Sequence, residues 1–324
     1  MERSTLDGGP RAGGSTRHLV HRPRSGGPAA PADRAQEFVL AGELPTAHPL
    51  FNDGPGLFHD AQAAAAMVRE VGEVIGQGYF GVPADRTGIF YQFGLDISDV
   101  GAWRRYPGPA PLVVTMSVRP EKMIDGVPRA LEFRTRFEID GTPAGAGSAK
   151  LLFLAPVVHR SHREHSRTAA LKAAAELGGV PHGGPGAQPA EVGRAHPANV
   201  LLRDPLTLSG HQLSVGVLAP REWNGPAGPD HGQASAVMLL EALRQTALLT
   251  ARRTHGLEPQ HSTTAVLRTH FRGYAEPDLP LRCTAVVQPV GEDPLGRPLL
   301  PMLMTLTQAG RAVVEATASV VEDL

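Results

Sequence analysis

The sequence predicts an α+β protein made of two copies of one unit, each an antiparallel sheet curled around a single long helix. Three observations predict it. First, Met238-Leu239-Leu240-Glu241-Ala242-Leu243-Arg244-Gln245-Thr246-Ala247 has a degenerate echo in Ala65-Ala66-Met67-Val68-Arg69-Glu70-Val71-Gly72. At a common offset of 175 residues, Glu241 falls on Ala66, Arg244 on Arg69 and Gly256 on Gly81. A repeat of that length is a whole folding unit used twice. Second, each half reads as strand, long helix, then a run of strands. Third, the regular strand–helix alternation that an open parallel sheet needs is missing. The copies differ at a charged position, so function is expected to sit in one half.

Residues 1–33 are polar, rich in Gly and Pro and without period, and are expected to be a mobile tail. Glu37–Leu40 reads as a strand. The Ala-rich stretch from Asp60 to Gln77 has helical composition, and Gly76, Gly78, Gly81 and Pro83 close it. Strands are predicted at Gly88–Ile97, Pro111–Val118, Arg129–Ile139 and Ala149–Leu154. In the third of these Leu131, Phe133, Thr135, Phe137 and Ile139 alternate with charged residues, the pattern of a strand with one buried face. Gly141 to Lys150 lacks the Gly-Lys-Ser/Thr ending of a phosphate loop and reads as a hairpin turn leading into a strand. His159 to His196 reads as a connector with a short helix near Thr168–Leu177. Then the pattern restarts: a strand at Leu213–Leu218, the strongest helix at Ser235–His255, and strands at Thr263–Tyr274, Leu281–Val290, Leu300–Thr307 and Ala312–Val321.

The 324 residues have room for two ordinary domains. A formal net charge of −1 gives no electrostatic case for nucleic-acid binding. Cys283 is the only cysteine, which rules out an intramolecular disulfide and a multi-thiolate zinc site and fits a reducing cytoplasm. Arg3, Arg11, Arg17, Arg22 and Arg24 are interleaved with Gly, Ser and Pro and are not followed by the apolar core of a signal peptide. No apolar run is long enough to span a bilayer, so no membrane partner is expected.

Several local motifs occur in one order. They are Val20-His21-Arg22 with Glu37–Leu40, Ala47-His48-Pro49-Leu50-Phe51, His59-Asp60 through Arg69, and Gly81-Val82-Pro83. Ala155-Pro156-Val157-Val158-His159-Arg160 follows, then Val192-Gly193-Arg194 with Asn199-Val200-Leu201-Leu202, and finally Met238–Ala247. Together they resemble the A-factor biosynthesis (AfsA-type) family of tandem hot-dog proteins. The resemblance implies a tandem (double) hot-dog: repeat 1 over residues 34–158, a connector over 159–198 and repeat 2 over 199–324. It also implies acyl transfer in γ-butyrolactone biosynthesis, a β-ketoacyl group on acyl carrier protein being joined to the hydroxyl of dihydroxyacetone phosphate, with no organic cofactor. Two departures mark a diverged member. Ala66 stands where the family has a Glu, and the lead-in to the second helix, Asp230-His231-Gly232-Gln233-Ala234-Ser235, has lost the family's Pro-Gly.

Glu241, Arg244 and Gln245 are spaced i, i+3, i+4 and share one helix face. Glu241 is the expected general base, provided burial raises its pKa towards neutrality. Arg244, with Arg69 from the other half, is expected to hold a phosphate or the glutamate itself. The helix N-terminus is expected to polarise a thioester carbonyl. The competing reading is a structural Glu241–Arg244 ion pair. Gln245, His231, His59 and His48 complete the candidate substrate-binding set, although Asp60 and Asp230 beside two of these histidines can equally be helix caps. His159, His162 and His165 recur every third residue but lack carboxylate or thiolate company, so no metal site is expected.

The first functional reading is an acyltransferase of secondary metabolism, with acyl carrier protein and a small phosphate acceptor as partners. Alternatives are a dehydratase, cyclase or thioesterase acting on a carrier-bound polyketide with His231 or His59 moving the proton, and a non-catalytic binder of an acyl chain or lactone. A monomer is feasible because a tandem chain supplies its own pseudo-twofold partner, and a homodimer through sheet edges is the alternative.

Overall fold

The computed structural model describes residues 3–6, 17–22, 34–44, 48, 50–86, 88–177, 184–219 and 234–323. The chain forms two compact units, residues 1–48 with 63–159, and residues 49–62 with 160–324. In the first unit, β1 (Arg3–Leu6), β2 (Arg17–Arg22) and β3 (Gln36–Leu44) precede α1 (Gln62–Phe80). After the helix come β4 (Gly88–Ile97), β5 (Ala110–Ile124), β6 (Val127–Ile139) and β7 (Thr142–Phe153). They pair antiparallel in the order β1-β2-β3-β5-β6-β7-β4.

A helix, α2 (Pro156–Glu176), leads into the second unit. There β8 (Leu202–Ser209) and β9 (Gln212–Val217) precede α3 (Ala236–His255), and β10 (Ser262–Phe271), β11 (Leu281–Val287), β12 (Gly291–Glu292), β13 (Pro298–Gln308) and β14 (Arg311–Glu322) follow. The order is β8-β9-β11-β13-β14-β10, again antiparallel, with β12 paired to β13. The five strands β3-β5-β6-β7-β4 of the first unit thus have the same order as β9-β11-β13-β14-β10 of the second.

The sequence explains why these elements form. In β6 the side chains of Leu131, Phe133, Thr135, Phe137 and Ile139 are buried, while Arg134, Arg136 and Glu138 are exposed. Burying one such phenylalanine contributes about 1.5–3 kcal/mol before chain entropy is subtracted. The β6–β7 turn uses Asp140 and Gly141, both at positive φ (47° and 76°), the geometry that lets two residues reverse a twisted hairpin. The strand begins at Thr142, seven residues earlier than the sequence pattern indicated, because small residues carry no alternation. Trp103, in a short 3₁₀ turn, is buried with its indole N–H donating to Ala144 O at 3.0 Å.

Helices α1 and α3 end alike. Gly81 and Gly256 adopt positive φ, and the next residue donates back six positions, Val82 N to Gly76 O at 2.9 Å and Leu257 N to Ala251 O at 3.4 Å. α3 opens with Ser235 as its cap, its hydroxyl accepting from Met238 N at 3.2 Å. It packs against β8, β9, β10, β11, β13 and β14 and is buried almost throughout from Val237 to Ala251, so it has no polar stripe. Two glycines of α1 are spacers instead: a Cβ on Gly72 would collide with Leu151 Cδ1, and one on Gly76 would sit 3.0 Å from Phe153 Cζ.

Three expectations are corrected. The tail carries strands: β2 pairs with β3 and Leu19 is fully buried opposite Leu40, a core contact hidden in sequence by its Arg and His neighbours. The connector is not a loop with a short helix, since α2 spans Pro156–Glu176 and the rest of 160–198 folds with the second unit. Only Ala170 of α2 is buried, so no apolar period announced it. Ion pairs hold it instead. Arg163 and Arg167 converge on the buried Glu276, Arg167 also reaches Asp278, and the Arg163 guanidinium lies 5.4 Å from the Tyr274 ring centroid. Finally, residues 49–62, expected inside the first repeat, fold with the second unit.

Two helix substitutions test the packing of α1. Gly72→Val should destabilise by about 1–3 kcal/mol through forced displacement of Leu151. Gly78→Ala, with no atom within 4 Å of the added Cβ, should stabilise by up to about 1 kcal/mol. Urea unfolding midpoints decide both.

Candidate active site

The second unit gathers its charge around one carboxylate. Glu241 lies on α3, one turn before Arg244 and Gln245, and has no exposed surface. Its Oε1 accepts from Arg194 Nε at 2.9 Å, Arg244 Nη2 at 3.0 Å and Gln245 Nε2 at 2.6 Å. Its Oε2 accepts from Arg244 Nε at 2.9 Å and lies 2.7 Å from Arg194 Nη2. The carboxylate is saturated.

Arg194 is the hub. Besides Glu241 it donates from Nη1 to Leu50 O at 2.9 Å and Asp53 Oδ1 at 3.2 Å, and its Nη2 lies 2.6 Å from Asp60 Oδ2. Asp53 Oδ2 in turn accepts from Asn199 Nδ2 at 2.7 Å. Asp60 Oδ1 accepts from Gln62 N at 3.1 Å, and Asp60 N donates to Asn52 Oδ1 at 2.7 Å. The side chains of Arg194, Asp53, Asp60 and Glu241 are 1, 2, 6 and 0 % exposed, against 11 % for Arg244. Arg244 is therefore the least enclosed charge of the five.

Local sequence explains the placement. The 3₁₀ turn Pro189–Val192 ends at Gly193 with φ 66°, a left-handed bend that turns the chain so that Arg194 enters the interior. A Cβ at Gly193 would stand 3.2 Å from Leu248 and 3.4 Å from Arg244 Nη1. Val192 O accepts from Arg244 Nη2 at 3.1 Å, so all three residues of Val192-Gly193-Arg194 meet α3. Gln245 reads the next segment through its backbone, donating to Asn199 O at 2.7 Å and accepting from Leu201 N at 2.9 Å.

Burial pushes the Glu241 carboxyl upward, but the Arg194 and Arg244 guanidinium groups outweigh it and hold the pKa down to about 2. Burial likewise acts to lower the pKa of Arg194, and Glu241, Asp60 and Asp53 raise it above the usual arginine range. The shift is opposite to the rise towards neutrality that a general base would use, and both carboxylate oxygens are engaged by the two guanidinium groups. The ion pair with Arg244 is what the geometry contains.

Of the other expected residues, Gln245 joins the cluster. Arg69 is half-buried on α1, and His48 is half-buried; both belong to the first unit. His59 is buried in the 50–62 segment, with Nδ1 3.4 Å from Asn52 Nδ2. His231 and Asp230 lie outside the described residues. Asp60 does cap its helix, yet it is enclosed rather than solvent-facing. Sequence reasoning quoted the Arg194 and Asn199 motifs without giving either residue a role, and passed over Asp53. Their signal was motif position alone, since a buried arginine is indistinguishable from a surface one in sequence. The cation that joins Arg244 on Glu241 is Arg194.

Breaking this cluster one-sidedly leaves a buried charge unpaired, so Arg194→Met should cost about 3–5 kcal/mol. Because the folded pKa of Glu241 is depressed, its stabilisation is full above about 4.5 and is lost as pH falls towards about 2. Glu241→Gln should therefore be less stable than wild type at pH 7, with the gap closing between those pH values in urea titrations.

Among solved structures, the 12:0-ACP thioesterase from Umbellularia californica is similar over 89 % of this chain and 94 % of its own, with TM-score 0.51 and 10 % identity. A protein assigned as an oleoyl thioesterase from Lactobacillus plantarum is similar over 90 % of this chain and 99 % of its own, with TM-score 0.51 and 8 % identity. Such low identities speak to the fold, which is the hot-dog fold. No curated protein matches the sequence. Residues 186–321, which hold Arg194, Asn199, Glu241, Arg244 and Gln245, match the family model of the A-factor biosynthesis hotdog domain.

Proposed function

We propose that the chain is a tandem hot-dog enzyme acting on an acyl thioester held by acyl carrier protein, and that it joins a β-ketoacyl group to the hydroxyl of dihydroxyacetone phosphate. The observation that carries this reading is the family match over residues 186–321, which spans Glu241 and its direct partners Arg194, Arg244 and Gln245. The common strand order of the two units supports the tandem architecture. In the reaction the acceptor hydroxyl oxygen bonds to the thioester carbonyl carbon, the carbon–sulfur bond breaks, and the hydroxyl proton ends on the carrier thiol. The step balances without an oxidant or reductant. A cytoplasmic monomer or homodimer belongs to the same reading.

The charges of the cluster divide the work differently from a Glu–hydroxyl pair. Glu241 occupies Nε and Nη2 of Arg244, fixing the guanidinium plane and leaving Nη1 outside those bonds. Arg244, with its residual exposure, suits an anionic oxygen, either the acceptor phosphate or the oxyanion formed on attack. Glu241 is then a positioning residue. Arg69, His48 and His231 stay candidates for the acceptor and for the pantetheine arm.

A second reading is favoured by the saturation of Glu241: the chain binds the thioester without turning it over. The two thioesterases among the similar structures suggest a third outcome, transfer to water. One experiment separates them. The protein is incubated with a β-ketoacyl carrier thioester, with and without dihydroxyacetone phosphate, and all products are weighed by mass spectrometry. A ketoester phosphate formed only with the acceptor is the expected result. Free β-keto acid would replace the proposal with hydrolysis and an unchanged thioester with a binder, while loss of one water from a β-hydroxyacyl carrier thioester offered in parallel would replace it with a dehydratase.

A further inference from the structure

Gln62 stands out in the hydrogen-bond accounting of the second unit. Its side chain is 3 % exposed, and its Oε1 meets no hydrogen-bond donor. Its Nε2 donates to Leu240 O on α3 at 3.4 Å, one residue from Glu241. A backbone carbonyl can only accept, so it orients the amide: exchanging the two ends would set Oε1 against Leu240 O. The acceptor end is therefore the open one. Leaving a buried acceptor unfilled costs stability, and such groups persist where function uses them.

The ion cluster fixes the position of this amide. Gln62 N donates to Asp60 Oδ1, and Asp60 Oδ2 is paired to Arg194, which is bonded to Glu241. Three successive polar contacts thus tie the backbone of Gln62 to α3, while the side chain reaches the same helix through Leu240 O. Nothing else in the cluster uses the amide oxygen.

We infer that Gln62 is a substrate-binding residue whose Oε1 accepts a hydrogen bond from an O–H or N–H of the bound thioester system. This rests on the thioester reading above. The thioester group itself offers no such hydrogen. Two parts of the reacting pair do: the hydroxyl of the acceptor, and the amide N–H groups of the pantetheine arm.

Gln62→Met preserves length and removes both polar atoms, and Gln62→Leu provides a second apolar variant. Three quantities are measured on the full chain: the thermal midpoint without ligand, the dissociation constant of a non-cleavable acyl-pantetheine thioether, and the KM for dihydroxyacetone phosphate. The expected result is a midpoint at or above that of wild type, together with about a tenfold loss in one ligand measurement. Weaker thioether binding assigns the pantetheine arm, and a raised KM with unchanged thioether binding assigns the acceptor hydroxyl. If wild type binds the thioether and both ligand measurements stay within twofold in the variants, Gln62 is structural and the inference is overturned. Loss of the fold in both variants has the same meaning. A wild-type protein that binds neither ligand brings down the thioester reading itself, and this inference with it.

Discussion

The contact between the Glu241 carboxylate and the Arg194 guanidinium organises the second unit. Each ion alone would be intolerable in the interior, where desolvation costs several kcal/mol per charge. Together they are tolerable because Arg244, Gln245, Leu50 O, Asp53 and Asp60 surround them with hydrogen bonds and opposite charge. That requirement pulls three separate stretches of chain onto α3: residues 50–62, the turn at 192–194 and the segment around Asn199. A helix buried on nearly all sides thereby acquires polar partners that an apolar core could not supply.

This saturation changes what the Glu-x-x-Arg-Gln spacing means. From sequence, three polar residues on one helix face look like chemistry, because a buried acid with a raised pKa is a general base. Here burial is outweighed by two guanidinium groups, and the carboxyl is held near 2. The same residues become an anchor with one accessible edge, that of Arg244. The copy in the first half has Ala66 at the matching position and so lacks the centre of such a cluster.

How much was legible can be judged element by element. α3 was readable to its ends, since Ser235 caps it and Gly256 stops it, both local effects of backbone hydrogen bonding and positive φ. β6 was readable because its alternation reports one buried face. α2 was not, as its stability comes from Arg163 and Arg167 meeting Glu276 more than a hundred residues away. β2 was missed for a similar reason: Leu19 among Arg and His looks like a tail until Leu40 lies opposite it.

For the site, sequence alone determined which residues share the α3 face and which motifs accompany them, because helical spacing and motif order are properties of the chain itself. It also led to the expectation of a two-copy pattern, from the echo of the α3 segment 175 residues earlier. Only the tertiary structure decided that Arg194 joins Arg244 on Glu241, that Asp53 and Asp60 complete the cluster, and that two guanidinium groups hold the Glu241 carboxyl in its charged form. Those outcomes depend on distances between segments far apart in sequence and on the exclusion of water around them. Charge state and hydrogen-bond saturation follow from those distances, and residue spacing along the chain does not encode them.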